Sequence, residues 1–195
     1  MSKTTWYGSI ILMLQVLTGS AKGKKLKVPK GTPVRPTTSR VRTSIFDTLG
    51  SLAGLNILDI FSGAGGLGIE ALSRGAERAT FVEINPRVMR ALKENISNCG
   101  FGDRVELICS HYKEALGNLK NKGDEYDLIF VDPPYFLYEE LTVNDLILAV
   151  SPLLCGGGTV VVKHDYKFDT PPEGFVKSTR PFGQTHVSYF HRGEG

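Results

Sequence analysis

The chain has 195 residues, of which 41% are hydrophobic and 22% charged, a composition that supports a folded domain with a buried core and excludes a disordered tail. Its 22 glycines and 10 prolines follow no period, which excludes collagen-like and repeat architectures. The three cysteines, Cys99, Cys109 and Cys155, form no C-x-x-C pair. We therefore expect reduced core thiols in a cytosolic protein, with no disulfide framework and no metal site.

Basic residues are concentrated near the N-terminus. Residues 1–46 contain nine lysines and arginines and no acidic residue, whereas the remainder has fourteen basic and twenty acidic residues. A basic arm on an acidic body is suited to holding a polyanion, and we favour nucleic acid over a merely solvated surface. The candidate contacts in this arm are Lys22, Lys24, Lys25, Lys27, Arg35, Arg40 and Arg42.

The N-terminal arm begins with an apolar run at residues 10–17, which is shorter than the about 20 residues of a membrane helix and follows a single lysine. We therefore predict neither an export signal nor a membrane segment. Met13 is a second candidate start, which would make residues 1–12 a dispensable extension. We expect residues 1–50 to form the arm, with a hairpin at residues 14–17 and 26–28 and a helix at 39–49. Residues 51–195 would form the main domain.

From residue 56 onward, short apolar runs alternate with helical patterns, which is typical of βαβ units around a parallel sheet. We predict strands at residues 56–61, 79–84, 105–109, 128–131 and 158–163, helices at 66–74, 86–99, 111–119 and 139–150, and a final hairpin at 176–180 and 186–190. The predicted fold is an open α/β sheet with helices on both faces and an antiparallel pair at one edge. Ligands of such sheets bind outside the carboxyl ends of the strands.

A glycine-rich motif, G-A-G-G-L-G from Gly63 to Gly68, follows the first of these strands and opens a helix. Glycines allow the backbone to turn tightly and to approach a ligand. Glu83 ends the next strand twenty residues beyond Gly63, where a carboxylate can accept hydrogen bonds from both hydroxyls of a ribose. The motif predicts a nucleoside-containing cofactor, and NAD, FAD and S-adenosylmethionine all fit it.

A second motif, Asp132-Pro133-Pro134-Tyr135, ends the fourth strand at the same edge of the sheet. The exocyclic amine of a base is a poor nucleophile because its lone pair is delocalised into the ring. The Asp132 carboxylate and the Pro133 carbonyl are acceptors that would draw the amine hydrogens and localise that pair, while Tyr135 offers a ring for stacking an unstacked base. The motif therefore favours amino-group methylation, with Asp132, Pro133 and Tyr135 as catalytic candidates.

The sequence resembles the RsmD-type 16S rRNA guanine-N2 methyltransferases over nearly all of the chain from Met13. Residues 58–76, which contain the glycine motif, are similar to that family's cofactor motif, and D-P-P-Y is shared with other amino methyltransferases. More specific are the basic pattern at residues 19–29, the run R-P-T-T-S-R-V-R at 35–42, and the closing segment at 182–190.

The resemblance implies a Rossmann-like class I fold and S-adenosylmethionine-dependent methylation of a guanine N2 in 16S rRNA by a cytoplasmic enzyme. We also expect a monomer. The implied cofactor-binding residues are Asp59, Phe61, Gly63, Gly65, Glu83 and His111. The chain departs from the family at Ser110-His111, where relatives usually carry an Asp that contacts the adenine amino group. Either side chain could supply a hydrogen bond there.

Three other functions remain compatible with these motifs. An amino methyltransferase acting on DNA adenine or on tRNA guanine would need the same clamp. A non-catalytic rRNA-binding assembly factor would retain the arm, although we expect its cofactor motifs to be damaged, and here they are intact. A nucleotide-dependent oxidoreductase would use the glycine loop, but it gives no role to D-P-P-Y.

Overall fold

The structure is a computed structural model that describes residues 14–31, 37–165 and 170–193. The proposed dispensable extension and Arg35 lie outside these ranges. The strands are β1 (Leu14–Gln15), β2 (Lys25–Leu26), β3 (Asn56–Asp59), β4 (Arg78–Val82), β5 (Val105–Ile108), β6 (Tyr126–Val131), β7 (Leu154–His164), β8 (Phe175–Phe182) and β9 (Thr185–Arg192). The α-helices are α1 (Ser39–Leu49), α2 (Gly68–Ser73), α3 (Pro86–Cys99), α4 (Tyr112–Lys122) and α5 (Val143–Val150).

Seven strands form one sheet in the order β5-β4-β3-β6-β7-β9-β8, and β1 pairs with β2 in a separate hairpin. The five strands from β5 to β7 are parallel, and β9 and β8 continue the sheet as an antiparallel pair. The chain leaves β3 toward β4 on one side and returns to pair β6 on the other. This reversal of strand order is the place where open α/β sheets form a ligand crevice.

The core lies on both faces of the sheet because successive strand residues point to opposite sides. Ile57 and Phe130 pack with the hairpin and with α1, α2 and α3, whereas Leu58 and Ile129 pack with α4 and α5. Leu14 and Leu26 of the hairpin belong to the first of these clusters. The hairpin therefore packs directly on the main body, and the division of the chain at residue 50 stays a prediction.

Buried polar groups also hold the hairpin in place. The Glu70 carboxylate, fully buried in α2, accepts hydrogen bonds from the backbone N–H groups of Leu17 at 2.7 Å and Thr18 at 3.0 Å. Arg74 donates to it at 2.9 Å, and Arg42 lies 3.7 Å away and donates to the carbonyl of Gln15. Since an unpaired buried charge is costly, this network fixes the hairpin against α2.

Several predicted elements have different bounds in the structure; the strand predicted at 158–163, for example, begins at Leu154. Helix α2 begins at Gly68, two residues later than predicted, because residues 63–67 form the loop of the glycine motif. The helix predicted at 139–150 begins four residues later, as α5 at Val143, because Thr142 and Asp145 form a reciprocal capping box there. Glu139 instead ends a 3-10 helix, Tyr135–Glu139. In addition, Cys109 is exposed, so the expectation of core thiols is wrong for this residue.

Candidate active site

A cleft of about 490 Å³ opens at the carboxyl ends of β3, β4, β5, β6 and β7. This volume lies in the range of small-molecule sites. The lining includes the glycine loop after β3, Glu83 after β4, His111 after β5 and the D-P-P-Y segment after β6. The two motifs that the sequence singled out therefore share one cleft.

The glycine loop owes its shape to two residues with positive φ, Gly63 at 52° and Gly65 at 87°. A Cβ at Gly65 would lie 2.5 Å from a methyl group of Leu92 and 2.7 Å from one of Ile69, so a larger residue would force these side chains to move. Gly68 begins α2 and lies so close to the ring of Phe81 that a Cβ there would be 2.3 Å from it. Glycine at these positions thus brings the start of α2 against the sheet and bends the loop.

Asp59, the last residue of β3, is buried, and its Oδ2 accepts a hydrogen bond from the N–H of Gly68 at 3.0 Å. Burial raises the pKa of this carboxyl to about 7; the Gly68 hydrogen bond opposes the shift, and the nearby charges of Asp132 and Glu83 add to it. Asp59 therefore supports the glycine loop and also contributes a carboxyl group to the cleft.

Glu83 is fixed by one backbone donor on each carboxylate oxygen. The N–H of Gly63 donates to Oε2 at 3.1 Å and the N–H of Asn85 donates to Oε1 at 2.8 Å. A carboxylate oxygen accepts two hydrogen bonds, so each oxygen retains one lone pair. This arrangement suits a pair of vicinal hydroxyl groups. Ile84, 61% exposed at the cleft, adds an apolar surface next to them.

His111 caps α4, since its Nδ1 accepts the N–H of Lys113 at 3.3 Å. In the neutral ring the proton then lies on Nε2, which makes that nitrogen a donor. Such a donor suits a ring nitrogen of a purine and not its exocyclic amine. The hydroxyl of Ser110 at the same edge can accept from an amine. Phe61, whose ring lies 5.2 Å from that of Tyr112, forms the adjoining wall.

The D-P-P-Y segment brings Asp132, Pro133 and Tyr135 to the other side of the cleft. The hydroxyl of Thr37 donates to Oδ2 of Asp132, and the ammonium group of Lys163 pairs with Oδ1. Lys163 Nζ also lies 5.7 Å from the centre of the Tyr135 ring. Sequence reasoning missed both partners. Lys163 does end an apolar parallel strand at the ligand edge, which is a signal that could have identified it.

The candidate nucleic-acid residues divide into two groups. The exposed residues are Lys22, Lys24, Lys25, Lys27 and Arg40, and Lys27 pairs with Glu94 at 2.7 Å. Arg42 is only 1% exposed, and its guanidinium donates to backbone carbonyls of Gln15 and Gly66. It therefore links the hairpin to the glycine loop and does not reach the surface, which corrects its assignment to the basic surface.

The family model described as "Conserved hypothetical protein 95" matches residues 14–191. The protein named "Putative rRNA methyltransferase YlbH" of Bacillus subtilis is 33% identical over 92% of this chain and 99% of its own length. The "Ribosomal RNA small subunit methyltransferase D" of Escherichia coli is 37% identical over 63% of this chain, a match that spans 60% of that relative. A solved structure titled "Putative methyltransferase yhhF from Escherichia coli" superposes with a TM-score of 0.80 at 28% identity, covering 92% of this chain and 98% of the other.

The fold is that of the class I methyltransferases, as predicted. The chain belongs to the family of conserved hypothetical protein 95, the RsmD-type methyltransferases, which confirms the resemblance seen in the sequence. Within the part of the chain that the structure describes, no helix is long and apolar enough to cross a membrane.

Proposed function

We propose that the protein is an S-adenosylmethionine-dependent rRNA methyltransferase that modifies the N2 amine of a guanine in 16S rRNA of the small ribosomal subunit. The observation that carries the proposal is that two carboxylates, each fixed by one donor on each oxygen, line the same cleft. Glu83 is placed to bind a ribose, and Asp132 belongs to the D-P-P-Y motif. Family membership and the names of the relatives support the rRNA substrate. A monomeric state and a cytoplasmic location belong to the same proposal.

The cofactor is S-adenosylmethionine, and the residues present fit it. Glu83 offers free lone pairs for the two ribose hydroxyls, Ile84 and Phe61 offer apolar surfaces for the adenine, and Nε2 of His111 offers a donor. Gly63 and Gly66 of the glycine loop line the same cleft. When bound, S-adenosylmethionine would supply a methyl group from its sulfonium, and the rest of the cofactor would leave as a neutral thioether.

Residues of the D-P-P-Y segment prepare the amine. Asp132 and the carbonyl of Pro133 accept its hydrogens, which localises the nitrogen lone pair for attack on the methyl carbon, and Tyr135 stacks on the base. Transfer of the methyl group would leave the nitrogen positively charged, and the amine would then release one proton to water. No strong base is needed, since the nitrogen loses that proton only after it has become positively charged.

RNA would be held by the exposed part of the basic arm. Lys22, Lys24 and Lys25 of the hairpin are exposed, as is Arg40 on α1. Thr37 precedes α1 and reaches Asp132, so the arm lies next to the cleft. Lysines at such a position can bind phosphates while a single unstacked base enters the site.

One experiment tests the proposal. The protein is incubated with methyl-labelled S-adenosylmethionine and either total RNA or small ribosomal subunits from cells that lack it, and the RNA is digested to nucleosides. We expect label in N2-methylguanosine of 16S rRNA. Label in N6-methyladenosine or in tRNA would support a different amino methyltransferase, and binding to rRNA without transfer would support an assembly factor.

A further inference from the structure

The Asp132 carboxylate is fixed by side chains from two distant parts of the chain. Thr37, before α1, donates to one oxygen, and Lys163, at the end of β7, pairs with the other. Asp132 and Lys163 are only 15% and 13% exposed. One donor on each oxygen fixes the plane of the carboxylate and leaves one lone pair on each oxygen for a further ligand.

Lys163 is also distinguished by its charge. The carboxylates of Asp59, Glu83 and Asp132 all line the cleft, and Lys163 is the one lysine or arginine among its described lining residues. Like charges that share a poorly solvated site repel one another and favour protonation of one of them. The ammonium group of Lys163, in contact with Asp132, offsets part of this repulsion.

The position of Lys163 is itself supported by the D-P-P-Y segment. Tyr138, in the 3-10 helix that follows this segment, donates its hydroxyl to the backbone carbonyl of Lys163 at 2.7 Å. Lys163 Nζ in turn lies 5.7 Å from the Tyr135 ring centre and 3.5 Å from the Thr37 hydroxyl. The end of β7 and the base-binding segment are therefore held together by both backbone and side-chain contacts.

We propose that Lys163 is a positioning residue of the methyl-transfer site: with Thr37, it holds the Asp132 carboxylate oriented so that its free lone pairs face the target amine. This assignment rests on the proposed function. It gives Lys163 no contact with the base and no proton to transfer. Its effect falls on the rate of the chemical step and not on cofactor affinity, since Glu83 follows β4, which is separated from β6 and β7 by β3 in the sheet.

The test compares Lys163→Met, Lys163→Arg and Thr37→Val with the wild type, and uses Lys120→Met, a change at an exposed position of α4, as the matched control. Single-turnover methyl transfer is measured at saturating cofactor and RNA, and S-adenosylmethionine affinity is measured by calorimetry. We expect Lys163→Met to lower the rate about 10- to 100-fold, the scale of a misplaced catalytic group, with cofactor affinity unchanged. Lys163→Arg, which keeps the charge, recovers part of the rate, and Lys120→Met behaves as the wild type.

Thr37→Val removes only a hydroxyl donor, so it keeps the assignment testable if Lys163→Met does not fold. We expect this variant to lower the single-turnover rate about 3- to 10-fold, the scale of one neutral hydrogen bond. Wild-type rates in the folded variants would overturn the assignment. A Lys163→Met variant that is faster than the wild type would also overturn it, since Lys163 would then compete with the base for Asp132. A wild type that transfers no methyl group to any RNA would contradict the proposed function and this assignment together.

Discussion

The carboxylates of Glu83 and Asp132 are held in the same way, with one donor on each oxygen, but the donors differ. Glu83 is held by two backbone N–H groups that belong to the loops beside it, whereas Asp132 is held by two side chains from outside its own segment. Backbone donors persist whatever the side chains are. The orientation of Asp132, in contrast, depends on the identity of Thr37 and Lys163, so it is more sensitive to substitution at a distance.

Replacing Glu83 with Ala is expected to weaken S-adenosylmethionine binding by about 1.5–3 kcal/mol, because the variant cannot form charge-assisted hydrogen bonds to the ribose hydroxyls. Calorimetric titration measures this change directly. Glu77→Ala, at an exposed position on the same βαβ unit, is the control. Unchanged affinity in a folded Glu83→Ala protein would remove the ribose role.

Replacing Asp132 with Ala is expected to lower the single-turnover rate roughly 10²- to 10³-fold, the cost of one well-placed polar group at a reacting centre. Asp132→Asn should retain an intermediate rate. Its oxygen can face Lys163 while its amide donates to the Thr37 hydroxyl, so the plane of the group survives and one acceptor remains. Equal rates for the wild type and Asp132→Ala would mean that D-P-P-Y only ends the strand.

Sequence patterns identified several residues that the structure brings to one cleft, and there are physical reasons for the residues they missed or misplaced. Asp59 ends a strand of the parallel sheet, and Gly63, Glu83 and Asp132 follow strands of the same sheet, so strand assignment alone brings them to one edge. Gly65, also predicted to bind the cofactor, faces Leu92 and Ile69 and is not among the residues that line the cleft. A side chain such as Lys163 acquires its role only from a partner 31 residues away, which periodicity does not encode. Arg42 was misassigned for the converse reason, because its charge was visible but its burial against Glu70 was not.

At the scale of elements, the parallel strands and α1 were predicted within a few residues, since apolar runs and helical periodicity are local signals. The pairing of the hairpin with the body was not predictable, because it depends on buried polar contacts between distant segments. The fully buried Asn95 of α3 makes such contacts. Its side chain accepts from the N–H of Lys27 at 2.7 Å and donates to the carbonyls of Lys27 and Ala64, each at 3.0 Å.

The basic hairpin is expected to bind phosphates of the RNA. Replacing Lys22, Lys24 and Lys25 with Gln should weaken RNA binding and make it less dependent on salt. For single-stranded RNA, the slope of log K against log salt concentration should fall by about 0.7 for each phosphate contact that is lost. A matched triple change on α4, Lys113, Lys120 and Lys122 to Gln, removes the same charge elsewhere. Both proteins should bind the cofactor as the wild type does. An unchanged salt slope together with weaker cofactor binding would identify the hairpin as a cover for the small-molecule site.

At the scale of the whole molecule, the net charge of +3 hides two opposed regions, a basic N-terminal segment and an acidic remainder. The cleft lies where they meet, since Leu14 and Thr37 line it together with three carboxylates. This arrangement separates a surface for a polyanion from a site for a cation. One chain can therefore hold an RNA and a sulfonium compound a short distance apart.

The buried Asp59 is expected to make folding stability depend on pH. Burial raises the pKa of Asp59 to about 7, well above that of an unfolded Asp, so the folded state binds more protons than the unfolded state between about pH 4 and 7. The contribution of this group to the free energy of unfolding therefore falls as pH rises through that window.

Asp59→Asn should remove this contribution, because an amide can still accept the N–H of Gly68 and carries no charge. Relative to the variant, the wild type should lose stability of the order of 1–3 kcal/mol between pH 4 and 7. Urea unfolding of both proteins at several pH values measures the difference. Parallel stability curves would show that Asp59 titrates at its ordinary pKa.

The carboxyl group of Asp59 is expected to couple cofactor binding to the release of protons into the solvent. Near pH 7 part of the Asp59 population carries a proton, and a cation entering the cleft favours the ionised form. Binding of the sulfonium cofactor should therefore release protons, whereas the neutral thioether left after transfer should release fewer. The heat of binding would then vary with the ionisation enthalpy of the buffer. The attraction between the ionised carboxylate and a bound cation would be lost after methyl transfer, and this loss would favour departure of the neutral product over its sulfonium precursor.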